Sequence, residues 1–218
     1  MKKIIAFSLW GDNPMYTIGA IKNADLALDI YPDWVCRFYV GKSTPDEIIL
    51  ELTKRKNTEI FVMHEEGDWT GMFWRFFPAD EPDVEVMVSR DCDSRLDERE
   101  KAAVDEWLSG DKGFHIMRDH PYHATEILGG MWGVKSGVLF GMKKAILEYT
   151  KGNFWQVDQN FLKEVIYPAI VNNVCVHDEF FEKKPFPIKR KPRSFVGQAY
   201  DEDDKELHTE HGDLLEGK

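Results

Sequence analysis

Cysteine is scarce in this 218-residue chain, and the three present, Cys36, Cys92 and Cys175, stand far apart with no C-x-x-C pair. That excludes a disulfide framework and fits free thiols in a reducing compartment. Long apolar runs are absent as well: no window approaches the roughly 18–20 apolar residues of a membrane-spanning helix. The start, MKKIIAFSLWGDNP, sets two lysines before apolar residues, but Gly-Asp-Asn-Pro breaks the run and no small-residue cleavage site follows. A first buried strand is expected there, in a soluble, cytoplasmic protein. Positive charge is in deficit, 28 Lys and Arg against 39 Asp and Glu, for a net charge of −11. A general nucleic-acid binder needs a basic face and is excluded. No internal repeat and no Ser/Gly-rich linker divides the chain, so residues 1–200 are expected to form one domain. Residues 201–218 hold eight acids against two lysines and are expected to be a flexible acidic tail.

What is present is enough for a core: 43% of residues are hydrophobic and 13% aromatic. The first half alternates between two patterns. KIIAFSL (3–9), WVCRFYVG (34–41), TEIFVMH (58–64) and VEVMVSR (84–90) read as strands. Between them, MYTIGAIKNADLALDI (15–30) and TPDEIILELTKR (44–55) have helical spacing, the second with Thr44 as N-cap and Pro45 at the first helical position. Such alternation implies an α/β fold with a mostly parallel sheet flanked by helices, with ligands beyond the carboxyl ends of the strands. Beyond residue 95 a helix capped by Ser94 is expected, then a strand from Phe114. A glycine-rich stretch follows at 127–137, then helices at 139–150 and 155–170, and a last strand in VCVHDEFF (174–181).

The fourth strand ends in Asp91-Cys92-Asp93. Residues i and i+2 of an extended segment point the same way, so the two carboxylates suit one hard divalent cation. A calcium-binding EF-hand loop starting at Asp91 would need Asp or Asn at its fifth position, Gly at its sixth and Glu at its twelfth; Arg95, Leu96 and Ala102 stand there. A haloacid-dehalogenase-type D-x-D-x-Thr/Val fails at Arg95 and at the strand's place in the order. The D-x-D of nucleotide-sugar glycosyltransferases remains.

SRDCDSRLDEREKAAVDEWL, together with RDHPYH, ILGGMWG, VDQNFL and VHDEFF in that order, resembles GT-A glycosyltransferases. It is especially similar to the small glycosyltransferases of large algal viruses implicated in capsid glycans. The resemblance covers about residues 3–200. It implies transfer of a sugar from a nucleoside diphosphate donor, a UDP-sugar, to a glycan hydroxyl with Mn²⁺ or Mg²⁺, and, for a viral chain, residence in the host cytoplasm. It further implies that Ser8, Leu9 and Trp10 form the nucleotide-facing loop, with Cys92 between the metal-binding Asp91 and Asp93. Arg75 and Arg90 would approach the diphosphate or sugar. Gly129 and Gly130 would let the backbone approach the donor sugar, and Asp158 and Gln159 would face the reacting sugar. His177 matches the histidine that completes the metal site in glycogenin-like relatives. Lys184 matches a phosphate-contacting lysine, at a spacing that departs from the family's.

Two other classes fit parts of the pattern. A sugar-nucleotide pyrophosphorylase shares the sheet type, but SLWGDNP replaces its glycine-rich loop after the first strand. A calcium-dependent carbohydrate-binding module would use the aromatics for stacking. Zinc is not expected at His115, His120 and His123, since no cysteine accompanies them in the sequence.

Overall fold

The computed structural model describes residues 1–149 and 151–216. One seven-stranded sheet organises them: β1 (Lys2–Leu9), β2 (Val35–Val40), β3 (Thr58–Val62), β4 (Val84–Ser89), β5 (Phe114–Arg118), β6 (Trp132–Lys135) and β7 (Val174–Asp178), in the order β3-β2-β1-β4-β6-β5-β7. The pairs β1–β2, β1–β4, β2–β3 and β5–β7 are parallel, while β6 runs antiparallel to both β4 and β5. β6 lies inside the stretch read only as glycine-rich. Its four residues are too few to show a period in sequence.

Alternation along the strands sorts side chains into two cores. Ile5, Phe7, Val86 and Val88 face a layer containing α1 (Pro14–Ile30) and α3 (Glu98–Ser109). Ile4, Ala6, Met87, Phe114 and Ile116 face the other way. That side is covered by a 3₁₀ helix (Trp69–Asp80), by α4 (Met142–Glu148), and by α5 (Val157–Phe161) continuing through a π-helical stretch into α6 (Tyr167–Ile170). The π turns (Leu162–Ile166) immediately precede Pro168, whose ring would clash with the carbonyl four residues back in a regular α-helix.

Two expected caps are replaced. α2 (Asp46–Thr53) starts after Pro45, and the Thr44 hydroxyl donates to the Leu9 carbonyl (3.3 Å) instead. In α3 the cap is Asp97, whose carboxylate accepts from Glu100 N (2.8 Å), while Ser94 Oγ donates to the Asp91 carbonyl (2.9 Å). The acidic end does not extend freely. Tyr200 N donates to the Asp93 carbonyl (2.8 Å), Asp204 pairs with Arg95 (2.8 Å) and Lys22 (2.6 Å), and Leu215 is buried beyond α7 (Thr209–Asp213). Its charge is matched by cations distant in sequence, so local composition read it as free. No helix among the described residues is long and apolar enough to cross a membrane.

Candidate functional site

Beyond the carboxyl ends of β1 and β4 lies a cavity of about 390 Å³. Ser8, Leu9 and Trp10 border it after β1, and Asp91, Cys92 and Asp93 after β4. Trp69, Met72 and Arg75 come from the 3₁₀ helix, Gly129, Gly130 and Met131 from the approach to β6, and Gln156, Asp158 and Gln159 from the start of α5. Gly197 and Ala199 close it from the C-terminal side.

Arg75 is the charge that balances the acids. It is buried, its Nη1 donates to Asp91 Oδ1, and its Nη2 donates to Asp158 Oδ2 at 2.9 Å. Ser8 Oγ accepts from the Arg75 backbone N–H (3.1 Å) and fixes the 3₁₀ helix to β1. Asp158, only 1% exposed, also accepts from Gln159 N (2.9 Å); burial raises its pKa and Arg75 opposes the rise. Asp93 is half-buried, and among the described residues no ion pair forms on its carboxylate. Burial and the neighbouring Asp91 charge push its pKa up to about 6. Tyr16, at the cavity edge, is pushed to about 12, first by burial and then by the same two acids.

The glycines prove to serve the acid cluster itself. A Cβ on Gly130 would lie 2.0 Å from Asp91 Oδ2, and one on Gly129 would lie 2.4 Å from Asp158 Oδ2 and 2.5 Å from Arg75 Nη2. Any larger residue would displace the carboxylates. Just before α5, Gln156 adopts a left-handed backbone (φ 69°), a strained state for a non-glycine residue and one that recurs at functional sites.

Some expected residues lie elsewhere. Arg90 is one step out of phase with Asp91, so alternation sends it under the sheet. There it pairs with Glu100 (3.1 Å), which also accepts from Tyr31 OH (2.9 Å), and it does not reach the cavity. Cys92 borders the cavity but shares that phase: its thiol packs in the core and donates to the Ser8 carbonyl (3.4 Å), and burial raises its pKa. Leu9 likewise turns its side chain into the core. Trp10 packs edge-on against Trp74, ring centroids 6.0 Å apart. His177 is on the α3 face of β7, bonded to His115 (2.8 Å) and Glu106 (3.2 Å), and borders a different groove together with the exposed Lys184. Neither joins the Asp91–Asp93 cavity, because β7 is the edge strand, separated from β4 by β6 and β5, and no β7 residue lines that cavity; Cys175 and His177 face the α3 side instead. Sequence reasoning missed Tyr16, Trp69, His123, Trp155 and Gly197 at the cavity. Tyr16 was accessible as the residue opening a helix after a carboxyl-end loop; the others arrive through tertiary packing that no local pattern records.

No protein-family profile matches the chain, and no curated protein sequence does. Solved structures do. A glycosyltransferase involved in the glycosylation of the major capsid of PBCV-1 superposes with a TM-score of 0.58 at 16% identity, over 99% of this chain and all of that one. The galactosyltransferase LgtC, in complex with donor and acceptor sugar analogues, gives 0.53 at 14% identity over 82% of this chain and 74% of that one. The fold is GT-A. A mannosyltransferase from Pyrobaculum calidifontis, solved with GDP-Man and Mn²⁺, gives 0.50 at 12% identity over 84% of this chain and 58% of that one. Identities this low establish the shared GT-A fold and leave the chemistry to the site.

Proposed function

We propose that the chain is a metal-dependent glycosyltransferase that moves a sugar from a nucleoside diphosphate donor, a UDP-sugar, to an acceptor hydroxyl on a glycan. The observation that carries this reading is the half-neutralised acid pair. Asp91 is matched by Arg75, whereas Asp93 beside it keeps a raised pKa and no ion pair among the described residues. Such a hole of negative potential, lined by hard oxygen donors, fits Mn²⁺ or Mg²⁺. A divalent cation held by Asp91 and Asp93 would neutralise charge developing on the departing diphosphate.

The chain's own side chains do the remaining work. Arg75 is the only Arg or Lys lining the cavity among the described residues, and so the one fixed cation available to the diphosphate. Asp158 holds that guanidinium in place. Both its oxygens are engaged in this geometry, so acting as the base of an inverting transfer would require it to release a partner. In a retaining transfer the departing phosphate would take the acceptor's proton instead. Gln159 is assigned to the reacting sugar and Trp10 to the nucleotide. Trp69 and Trp155, 44% and 65% exposed at the cavity rim, offer apolar faces on which an acceptor sugar would stack.

The test is release of nucleoside diphosphate from a panel of UDP- and GDP-sugars, with and without Mn²⁺. Metal-dependent release is expected, falling about 100-fold or more in Asp93→Asn, since loss of a charge-stabilising group costs that order of rate. A carbohydrate-binding module would release nothing, and a pyrophosphorylase would instead require a nucleoside triphosphate and a sugar phosphate. Either result overturns the reading.

A further inference from the structure

The cluster that captures His177 has a donor set of its own. β5 and β7 pair in parallel with His115 opposite Cys175 and Met117 opposite His177. Cys175 and His177 therefore share one face of β7, and His115 stands beside them, stacked on Trp107 of α3 (5.1 Å). One ligand atom from each of His115, Cys175 and His177 lies within 4.8 Å of the others. Both rings are fully buried, the thiol is half-buried, and Glu106 adds a carboxylate 3.2 Å from His177 Nε2.

The hydrogen bonds leave this cluster incomplete. A carboxylate only accepts, so His177 Nε2 carries its hydrogen toward Glu106 and His177 Nδ1 is left as a lone pair. His115 Nε2–H donates to it at 2.8 Å, which makes His115 Nδ1 a bare lone pair as well. That atom is buried with no hydrogen-bond partner among the described residues. A buried acceptor of this kind is rare enough to require an explanation, and a bound cation is one of the few that supply one.

We propose that His115, Cys175 and His177 bind Zn²⁺, with Glu106 or water as the fourth ligand. One thiolate, two imidazoles and a carboxylate suit a borderline-soft tetrahedral ion, and disfavour Mg²⁺ or Ca²⁺. Zinc–nitrogen and zinc–sulfur bonds of about 2.0–2.3 Å at tetrahedral angles put ligand atoms about 3.3–3.6 Å apart. From separations of at most 4.8 Å the thiol has about 1 Å or less to close, within reach of a rotation of Cys175 on the last strand of the sheet, while the 2.8 Å contact between the two imidazoles opens as their nitrogens turn to the ion. On binding, the Cys175 thiol gives its proton to solvent. The ion would enter through a groove of about 570 Å³ lined by Glu106, Cys175, His177 and Phe186. It would tie the edge strand to β5 and α3, at a groove that shares no lining residue with the Asp91–Asp93 cavity, and it stands independently of the proposed transferase activity.

The experiment uses the untagged full chain, stripped with a chelator and titrated with Zn²⁺ and, separately, Co²⁺. One tight zinc per chain, a rise in Tm, and a near-ultraviolet thiolate-to-cobalt band are expected. Cys175→Ser should abolish the band and weaken zinc binding at least tenfold, while Asp93→Asn leaves both unchanged. The second trio, exposed His208 and Glu210 with half-buried His211, lacks a thiol and cannot produce the band. Wild-type protein without a thiolate band, or zinc bound equally well by folded Cys175→Ser, would overturn the proposal. The first of these requires no variant to fold.

Discussion

Arg75 and Asp93 divide the electrostatics of the cavity between them. The guanidinium is shared by Asp91 and Asp158, so three acids meet one base, and Asp93 bears the surplus. In the folded, metal-free chain Asp93 holds its proton up to about pH 6, against about 4 when unfolded. Its contribution to stability is therefore fully present below about pH 4 and is lost as pH rises through 6. Asp93→Asn removes that penalty. The variant is expected to gain on the order of 1–2 kcal/mol at neutral pH, a rise of roughly 2–8 °C in Tm for a chain of this size, with little change at pH 4. It should at the same time lose metal-dependent UDP binding. Thermal melts of the chelated proteins at both pH values check the first part, and an unaltered or lowered neutral Tm would contradict it.

At the scale of elements, the strand–helix alternation of the first half was legible because buried parallel strands and amphipathic helices write their periods into sequence. The strands fall within two residues of the stretches expected. Strand phase was the part misjudged. Arg90 and His177 were assigned by resemblance to the cavity, yet Arg90 sits one residue out of step with Asp91, which reverses the face, and His177 lies on the edge strand, beyond β6 and β5 from β4. Asp91, Arg75 and Asp158 meet from positions far apart in the chain, a convergence that only the resemblance anticipated. The cysteine judged missing from the histidines is likewise distant in sequence: Cys175 reaches His115 through strand pairing. The acidic end was misread for the same reason. Arg95 holds it, donating to the Asp201 carbonyl (2.8 Å) and to Asp204 while also bonding the carbonyls of the Asp91–Asp93 turn. Ending the chain after Tyr200 should lower stability by about 1.5–3 kcal/mol, chiefly through the buried Leu215, since its surface ion pairs contribute little. Urea titration measures this, and an unchanged midpoint would mean the segment is free after all.

Across the whole molecule, the GT-A sheet brings two kinds of donor set to separate places. Hard carboxylates gather at the carboxyl ends of β1 and β4, and imidazoles with a thiol gather between β5, β7 and α3. Metals of different character are thereby expected to choose different sites. The central claim is that Asp91 and Asp93 together hold the cation that binds with the donor. Anomalous diffraction at the manganese edge, from crystals of the wild-type chain grown with UDP and Mn²⁺, tests it most directly. A single strong peak is expected between the two carboxylates, beside Arg75 and within the cavity. Manganese found only against His177, or absent from Asp91 and Asp93 while UDP is bound, would contradict it.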